Sequence, residues 1–120
     1  SRVVQDQIGA PPSGAVTVSM VPVAFSAASP SAVYTPRTAD GRNPARFEIN
    51  LTRLADWPDY SLPTLVYHET LPGHHLESGI ASEQAGLPLA RQLIWNPGYG
   101  EGWASYAETL ADEGGLYTDD

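Results

Sequence analysis

Three histidines and a glutamate that lie within eight residues are the part of this sequence best suited to chemistry. They occupy the segment HETLPGHH of residues 68–75, whose members are His68, Glu69, His74 and His75, and the chain has no other histidine. Neutral imidazole nitrogens and carboxylate oxygens are ligands that Zn²⁺ prefers. A second segment, EGWASYAE, begins and ends with a glutamate and covers residues 101–108. Together the two segments predict a metal-dependent hydrolase site.

The spacing of the histidines does not fit a regular helix. Zinc-hydrolase helices usually carry His-Glu-x-x-His, in which two ligands four residues apart reach one ion. Here the position four residues after His68 is Pro72, which cannot bind a metal. On an unbroken helix His74 would lie about 240° round the axis from His68. His75 would be nearly in line with His68 but about 10 Å further along the axis, too far to share an ion.

Pro72 and Gly73 offer a solution to this spacing. Proline removes a backbone donor, and glycine permits dihedral angles that other residues avoid, so the pair can absorb two extra residues as a bulge. We therefore expect a kinked helix that returns His74 to the face of His68 as the displaced second ligand. His75 would then point toward substrate or toward a group that supports a ligand. Pattern alone leaves the choice between His74 and His75 open.

The two segments resemble the signature of a large bacterial family long labelled a domain of unknown function, HExxPGHH followed by EGWxxYxE. That family is regarded as gluzincin-like zinc metallopeptidases, and the resemblance spans roughly residues 15–118. One departure is that the family often has Gln where this chain has Glu77. The resemblance implies three zinc ligands and one general base, namely His68, His74 and Glu101, and Glu69.

The resemblance also implies a function and a context. The function is hydrolysis of peptide substrates by water that a bound zinc ion activates. Family members are several times longer and mostly helical, so this chain would be a piece of a larger protein, with further segments of that protein as its partners. Two alternatives stay open: a non-catalytic metal-binding domain, or a catalytic piece that is inactive without its flanking regions. Glu69 separates the first alternative from an enzyme, because a structural metal site needs no acid beside its ligand.

Glu101 and Glu108 cannot both bind the same ion. Seven residues on a helix separate them by about 10 Å along the axis. Glu101 is favoured because Gly100 and Gly102 allow close backbone approach, and because it matches the first acid of the signature. We expect Glu108 to orient a ligand histidine. Tyr106 is a further candidate for contact with a ligand or substrate, but no oxyanion donor can be chosen among Tyr34, Tyr99 and Tyr106.

Periodicity predicts the elements before the motif. Alternation of apolar residues predicts a strand over 15–25, with its second half at a bend or a sheet edge after Pro22. A second strand, which could pair with the first, is predicted over 46–51. Glycine and proline make residues 26–45 irregular, and the same residue types predict that residues 1–14 are poorly ordered.

Helical spacing begins at the motif. A kinked helix is predicted over 62–84 with Ser61 as its N-cap, and a short helix near 88–95 follows. After a turn at 96–98, a helix over 100–114 carries the third ligand. The predicted class is α+β, a zincin-like segment in which short antiparallel strands precede the two ligand-bearing helices. We interpret residues 1–120 as a single catalytic-core segment.

Composition excludes several classes of partner. The chain has 14 acidic and 6 basic residues, a formal charge of −8 and no lysine. Nucleic acids and anionic membranes both reward clustered positive charge, so neither is an expected partner. The absence of cysteine excludes thiolate metal sites and disulfides. The sequence has no apolar run of about 18 residues and no signal peptide, but it starts at Ser1, so localisation stays open.

Overall fold

A small mixed sheet and the helices that follow it form the described part of the chain. The structure is a computed structural model that describes residue 6 and residues 8–117, with the backbone alone at residues 92 and 93. The sheet half contains strand β1 (Val16–Met20), short helix α1 (Val23–Ser26), strand β2 (Ala32–Thr35) and strand β3 (Ala45–Ile49). After a 3₁₀ helix (Leu51–Asp56) come the longer helices, α2 (Ser61–Glu69), α3 (His74–Glu83), α4 (Leu89–Leu93) and α5 (Pro97–Glu113). The predicted α+β class is confirmed.

The central strand of the sheet is β3. Strand β1 runs parallel to it and β2 antiparallel, in the order β1-β3-β2. Ala45 and Phe47 of β3 are each 2% exposed and form the part of the core on which the helices rest. The sheet is therefore mixed rather than antiparallel throughout. Strand β2 comes between β1 and β3 in the sequence and runs in the opposite direction, so β1 and β3 point the same way.

Two predictions about the sheet region need correction. The strand expected over 15–25 ends at Met20, and Pro22 lies at the start of helix α1, because its φ of −57° suits the entry to a helix. Residues 26–45 are not irregular throughout, because β2 lies within them. Strand β2 is only four residues long, so its alternation of side chains is too short to predict a strand.

A buried asparagine ends β3. The Asn50 side chain is 1% exposed, and its Nδ2 donates to the carbonyl oxygens of Ser26 at 2.8 Å and Ser29 at 3.2 Å. Its Oδ1 accepts from the backbone N–H of Thr52 at 3.3 Å and so caps the 3₁₀ helix. Local capping of this kind competes with strand pairing, which explains why the strand predicted over 46–51 stops at Ile49.

Helices α2 and α3 pack against α5. The contact face of α5 consists of small residues at helical spacing, Ala104, Ala107 and Ala111, which are fully buried. Leu76 of α3 is also fully buried. Small side chains let helix backbones approach closely. This close approach brings the two motif segments, residues 68–75 and 101–108, together.

The helix starts differ from those predicted. Helix α5 begins at Pro97 rather than Gly100, because Asn96 Oδ1 accepts from the backbone N–H of Tyr99 at 3.3 Å and proline suits the first turn. The expected turn at 96–98 is thus the start of this helix. Ser61 is not the N-cap of α2: it is the first helical residue, and its hydroxyl donates to the Pro58 carbonyl at 2.7 Å.

The predicted poorly ordered segment 1–14 falls partly on residues 1–5 and 7, which lie outside the described residues. From 9 to 14 the chain forms no helix or strand, but it packs on α3. Pro12 is buried, and the backbone N–H of Ser13 donates to Glu83 Oε1 at 2.6 Å. Within residues 6 and 8–117, no helix is both long and apolar enough to cross a membrane.

Candidate metal centre

A tight bulge joins α2 to α3 at the predicted position. Two backbone hydrogen bonds close it: Gly73 N–H donates to the Tyr67 carbonyl at 3.0 Å, and His75 N–H donates to the Thr70 carbonyl at 3.1 Å. The Leu71–Pro72 peptide bond is cis. A Cβ atom on Gly73 would overlap the carbonyl oxygens at the end of α2, so only glycine fits there. The bulge sets the direction in which α3 leaves α2.

Helix α5 is attached to this bulge by a tryptophan. Trp103 Nε1 donates to the Pro72 carbonyl at 2.9 Å. The indole ring is only partly exposed, and it lies two residues after Glu101 on the same helix. This hydrogen bond therefore holds the first half of α5, which contains Glu101, against the bulge.

Three of the predicted site residues come together between the helices. Glu101 Oε2 lies 3.3 Å from His68 Nε2, and Glu101 Oε1 lies 3.8 Å from His74 Nε2. One donor atom from each of the three residues lies within 4.8 Å of the others. The two imidazole rings meet edge to face with their centroids 4.9 Å apart. The cluster thus has the form of a cation site.

The donor set and its spacing fit zinc. Zinc binds histidine nitrogen and carboxylate oxygen at about 2.0–2.2 Å, so donors at tetrahedral angles lie about 3.4 Å apart. The separations of 3.3 Å and 3.8 Å run to the two different oxygens of Glu101, and single donor atoms of the three residues lie within 4.8 Å of one another. Two imidazoles and one carboxylate also leave one of four positions open, as in catalytic rather than structural zinc sites. His68, His74 and Glu101 could thus hold a metal ion.

Glu108 holds His68 from the opposite side of its ring. Glu108 Oε1 lies 2.7 Å from His68 Nδ1, and Glu108 is about two helical turns along α5 from Glu101. An ionised carboxylate only accepts, so this contact places the proton on Nδ1 and leaves the Nε2 lone pair directed at the cluster. The geometry matches the orienting role that the sequence predicted for Glu108.

Glu69 is half-buried beside the cluster. Burial raises the pKa of its carboxyl, the charge of His68 lowers it, and the charge of Glu101 raises it again. A hydrogen bond from the backbone N–H of Tyr34 also lowers this pKa. The carboxyl group is therefore shielded from water, next to two members of the cluster, yet it is not among the atoms that would bind the ion.

The imidazole of His74 is in a setting that keeps it neutral. Burial lowers its pKa, and the neighbouring His68 lowers it further, while Glu101 has the opposite effect. Neutral imidazole is the form that binds metal. Burial lowers the pKa of His75 as well, so it is position alone that places His74 rather than His75 in the cluster.

His75, the second residue of α3, lies outside the cluster. It is 6% exposed, and its Nδ1 is 3.0 Å from the hydroxyl oxygen of Tyr34. Burial lowers its pKa, against a hydrogen bond to the backbone of Gly14 that raises it. Tyr106 is also outside the cluster: it is 53% exposed, and its ring contacts that of Trp103 with centroids 6.2 Å apart.

The sequence reasoning missed some of the contacts that build the site. Gly100 does allow a close approach, but the group that approaches it is the Trp95 indole, and Gly102 has nothing within 4 Å of a Cβ position. The hydrogen bond from Trp103 to the bulge was not foreseen. Nor was the placement of Tyr34, whose strand was not predicted. The tryptophan of the second signature segment was the one signal in the sequence for the hydrogen bond to the bulge.

Comparison with known proteins gives a family and a structural relative. Residues 1–120 match the family described as "Bacterial protein of unknown function (DUF885)". The chain is similar to a crystal structure described as a putative lipoprotein from Colwellia psychrerythraea, with 36% sequence identity and a TM-score of 0.90. The match covers 97% of this chain and 20% of that chain. This agrees with the prediction that the sequence is a piece of a larger protein. No curated protein matches it.

Proposed function

This chain belongs to the DUF885 family of bacterial proteins of unknown function, and from that premise we propose that it hydrolyses peptide bonds with the help of a zinc ion. The observation that carries the proposal is the convergence of His68, His74 and Glu101 on one point. The ion would be held by these three side chains. Zn²⁺ when bound supplies Lewis acidity, which makes water a competent nucleophile near neutral pH.

The chain supplies the groups that work beside the ion. Glu69 directly follows a ligand in sequence, so its carboxylate can accept a proton from water without occupying the metal. The same carboxyl oxygen then carries that proton to the leaving amine. The position of Glu69 directly after a ligand lets the carboxyl group face the open position of the metal, where both proton transfers take place. Glu108 keeps the His68 ring in one orientation during both proton transfers.

Two features favour a catalytic site over a metal site that only supports the fold. A structural zinc site is usually closed by four protein ligands, whereas this cluster offers three. Glu69 also lies half-buried beside the cluster, whereas a metal site that only supports the fold needs no acid beside its ligands. Peptide is proposed as the substrate class because the two signature segments resemble those of gluzincin-like metallopeptidases.

The test is a conservative replacement of the proposed base. We expect Glu69→Gln to retain about one zinc per chain, as wild type does, while hydrolysis of a quenched fluorescent peptide library falls by at least about 100-fold. The matched control is Glu113→Gln, an exposed acid near the end of α5, which should keep both properties. Metal content is measured by atomic emission on the protein expressed with its natural flanking sequence.

The outcomes separate the alternatives. If Glu69→Gln keeps full activity, the base assignment is wrong. If wild type binds zinc stoichiometrically but cleaves no peptide even with its flanking sequence, the non-catalytic metal-binding domain is the better description. If zinc is bound and cleavage requires the flanking sequence, the chain is a catalytic piece that is inactive by itself. If zinc loading leaves the protein metal-free, the whole proposal fails.

A further inference from the structure

Tyr34 of the edge strand β2 lies across the first turn of α3. Its ring is nearly parallel to that of His74, with an interplanar angle of 18° and centroids 6.3 Å apart. It meets the ring of His75 edge-on at 5.7 Å. Both distances are within the range at which aromatic rings interact. One side chain therefore touches both histidines that follow the bulge, one inside the cluster and one outside it.

The hydroxyl group of Tyr34 fixes the position of this ring. It lies 3.0 Å from His75 Nδ1 and 2.9 Å from Ser78 Oγ. His75 and Ser78 belong to successive turns of α3, so the two hydrogen bonds attach the end of the phenol ring to that helix. The ring has little freedom to move away from His74. The hydroxyl group has partners on α3 on both sides.

The backbone of Tyr34 reaches the second half of the site. The backbone of Tyr34 is near the Glu69 carboxyl group and lowers its pKa, against the larger effect of burial, which raises it. Strand β2 pairs with β3 on one side only, so N–H groups on its outer edge can bond to other parts of the chain. Tyr34 thus contacts a cluster histidine through its ring and the neighbouring acid through its main chain.

We propose that Tyr34 is a positioning residue of the metal centre, whose ring keeps the His74 imidazole turned with Nε2 toward Glu101. This inference rests on the proposed function for the identity of the ligands. An imidazole without a packed neighbour can rotate about its side-chain bonds, and each misdirected rotamer is lost to metal binding. The ring contact, rather than the hydroxyl, does the positioning, while the hydroxyl group holds the ring on α3.

The first test needs no metal. Crystal structures of the metal-free protein, with its natural flanking sequence, are compared for wild type, Tyr34→Phe and Tyr34→Leu. We expect His74 Nε2 to stay near its 3.8 Å separation from Glu101 Oε1 in wild type and in Tyr34→Phe. In Tyr34→Leu it should turn away or occupy several rotamers. An unchanged His74 in Tyr34→Leu would overturn the proposal.

The second test measures zinc affinity by competition with a chromophoric chelator. Tyr34→Leu should weaken binding about 10-fold, the scale expected when a contact that orients a ligand is lost. Tyr34→Phe should stay within about threefold of wild type because it keeps the ring. The matched control is Tyr60→Leu, which removes the same ring from a position that is 80% exposed, and it should change nothing.

The results distinguish failure of this inference from failure of the proposed function. If wild type binds no zinc, the proposed function fails, and the metal-free crystal structures still decide the role of Tyr34. If wild type binds zinc and Tyr34→Leu binds it equally well, the positioning role is refuted and the metal centre stands. Equal losses in Tyr34→Phe and Tyr34→Leu would also refute it, because the ring would then not be the element responsible.

Discussion

The His68 side chain is fixed at both of its ring nitrogens. Nδ1 is 2.7 Å from Glu108 Oε1, and Nε2 is 3.3 Å from Glu101 Oε2. Both acids come from α5, whereas the histidine comes from the last turn of α2. An imidazole held in this way by a carboxylate at Nδ1 has a fixed ring orientation, with Nε2 directed at the cluster.

Removal of Glu108 should therefore weaken metal binding without removing a ligand. We expect Glu108→Ala to lower zinc affinity by about 10- to 100-fold, the usual effect of losing a hydrogen-bond partner behind a ligand histidine. Glu108→Gln should lose less, because its amide oxygen still accepts from Nδ1. Isothermal titration with zinc checks this, with Glu113→Ala on the same helix as the control. Equal affinities for Glu108→Ala and wild type would contradict the orienting role.

Glu77 gives a prediction for pH. Burial raises the pKa of its carboxyl above the usual 4.5, so the folded state favours the protonated form. Between 4.5 and the raised value the folded state binds more protons than the unfolded state, and stability falls as pH rises through that window. Glu77→Gln removes this penalty. Its Tm should exceed that of wild type by about 1–3 °C at pH 7, and the difference should vanish below about pH 4. Calorimetry at both pH values checks the sign.

At the scale of elements, the site depends on the angle between α2 and α3. A straight helix would place His74 on the far side from His68, whereas the bulge at residues 70–73 returns it to within ring contact. The tight approach of Gly73 to the end of α2 makes that angle possible. The Trp103 hydrogen bond then fixes the third helix to the same point.

A methyl group at position 73 should disrupt this arrangement. Because the Cβ would overlap two main-chain carbonyl oxygens, Gly73→Ala should lower the free energy of unfolding by about 3 kcal/mol and abolish stoichiometric zinc binding. Gly102→Ala is a matched control in α5, where a Cβ meets nothing within 4 Å. It should instead gain about 0.5–1 kcal/mol from helix propensity. Urea denaturation measures the free energy of unfolding of both variants. Similar stabilities for the two variants would show that the bulge tolerates a side chain.

The sequence predicts those elements whose signals are local. The Pro72-Gly73 pair indicated the kink and favoured His74 as the second ligand, although pattern alone left His75 open, because both arguments concern a few adjacent residues. Strand β2 and the cap made by Asn50 could not be predicted, since their stability comes from partners distant in the sequence: Tyr34 pairs with Phe47, and Asn50 bonds to Ser26 and Ser29. The parallel pairing of β1 and β3 is likewise a property of the whole sheet.

On the scale of the whole molecule, this chain corresponds to 20% of its structural relative. Its described surface carries many large apolar side chains that are more than half exposed, including Val18, Met20, Val23, Phe25, Ile94 and Trp95. Isolated soluble domains rarely show so much apolar surface in adjacent positions. We expect other segments of the larger protein to cover part of it.

The last prediction concerns the coupling of metal to fold. His68, His74 and Glu101 belong to three different helices, so an ion bound to them would join α2, α3 and α5. A ligand that binds only the native state stabilises it, by about 2.7 kcal/mol at a free concentration 100 times its Kd. Removal of zinc with a chelator should therefore lower Tm, and added zinc should restore it. His74→Ala should have a Tm that responds to neither treatment. A wild-type Tm that stays constant while metal analysis records loss of the ion would show that the helices do not share it.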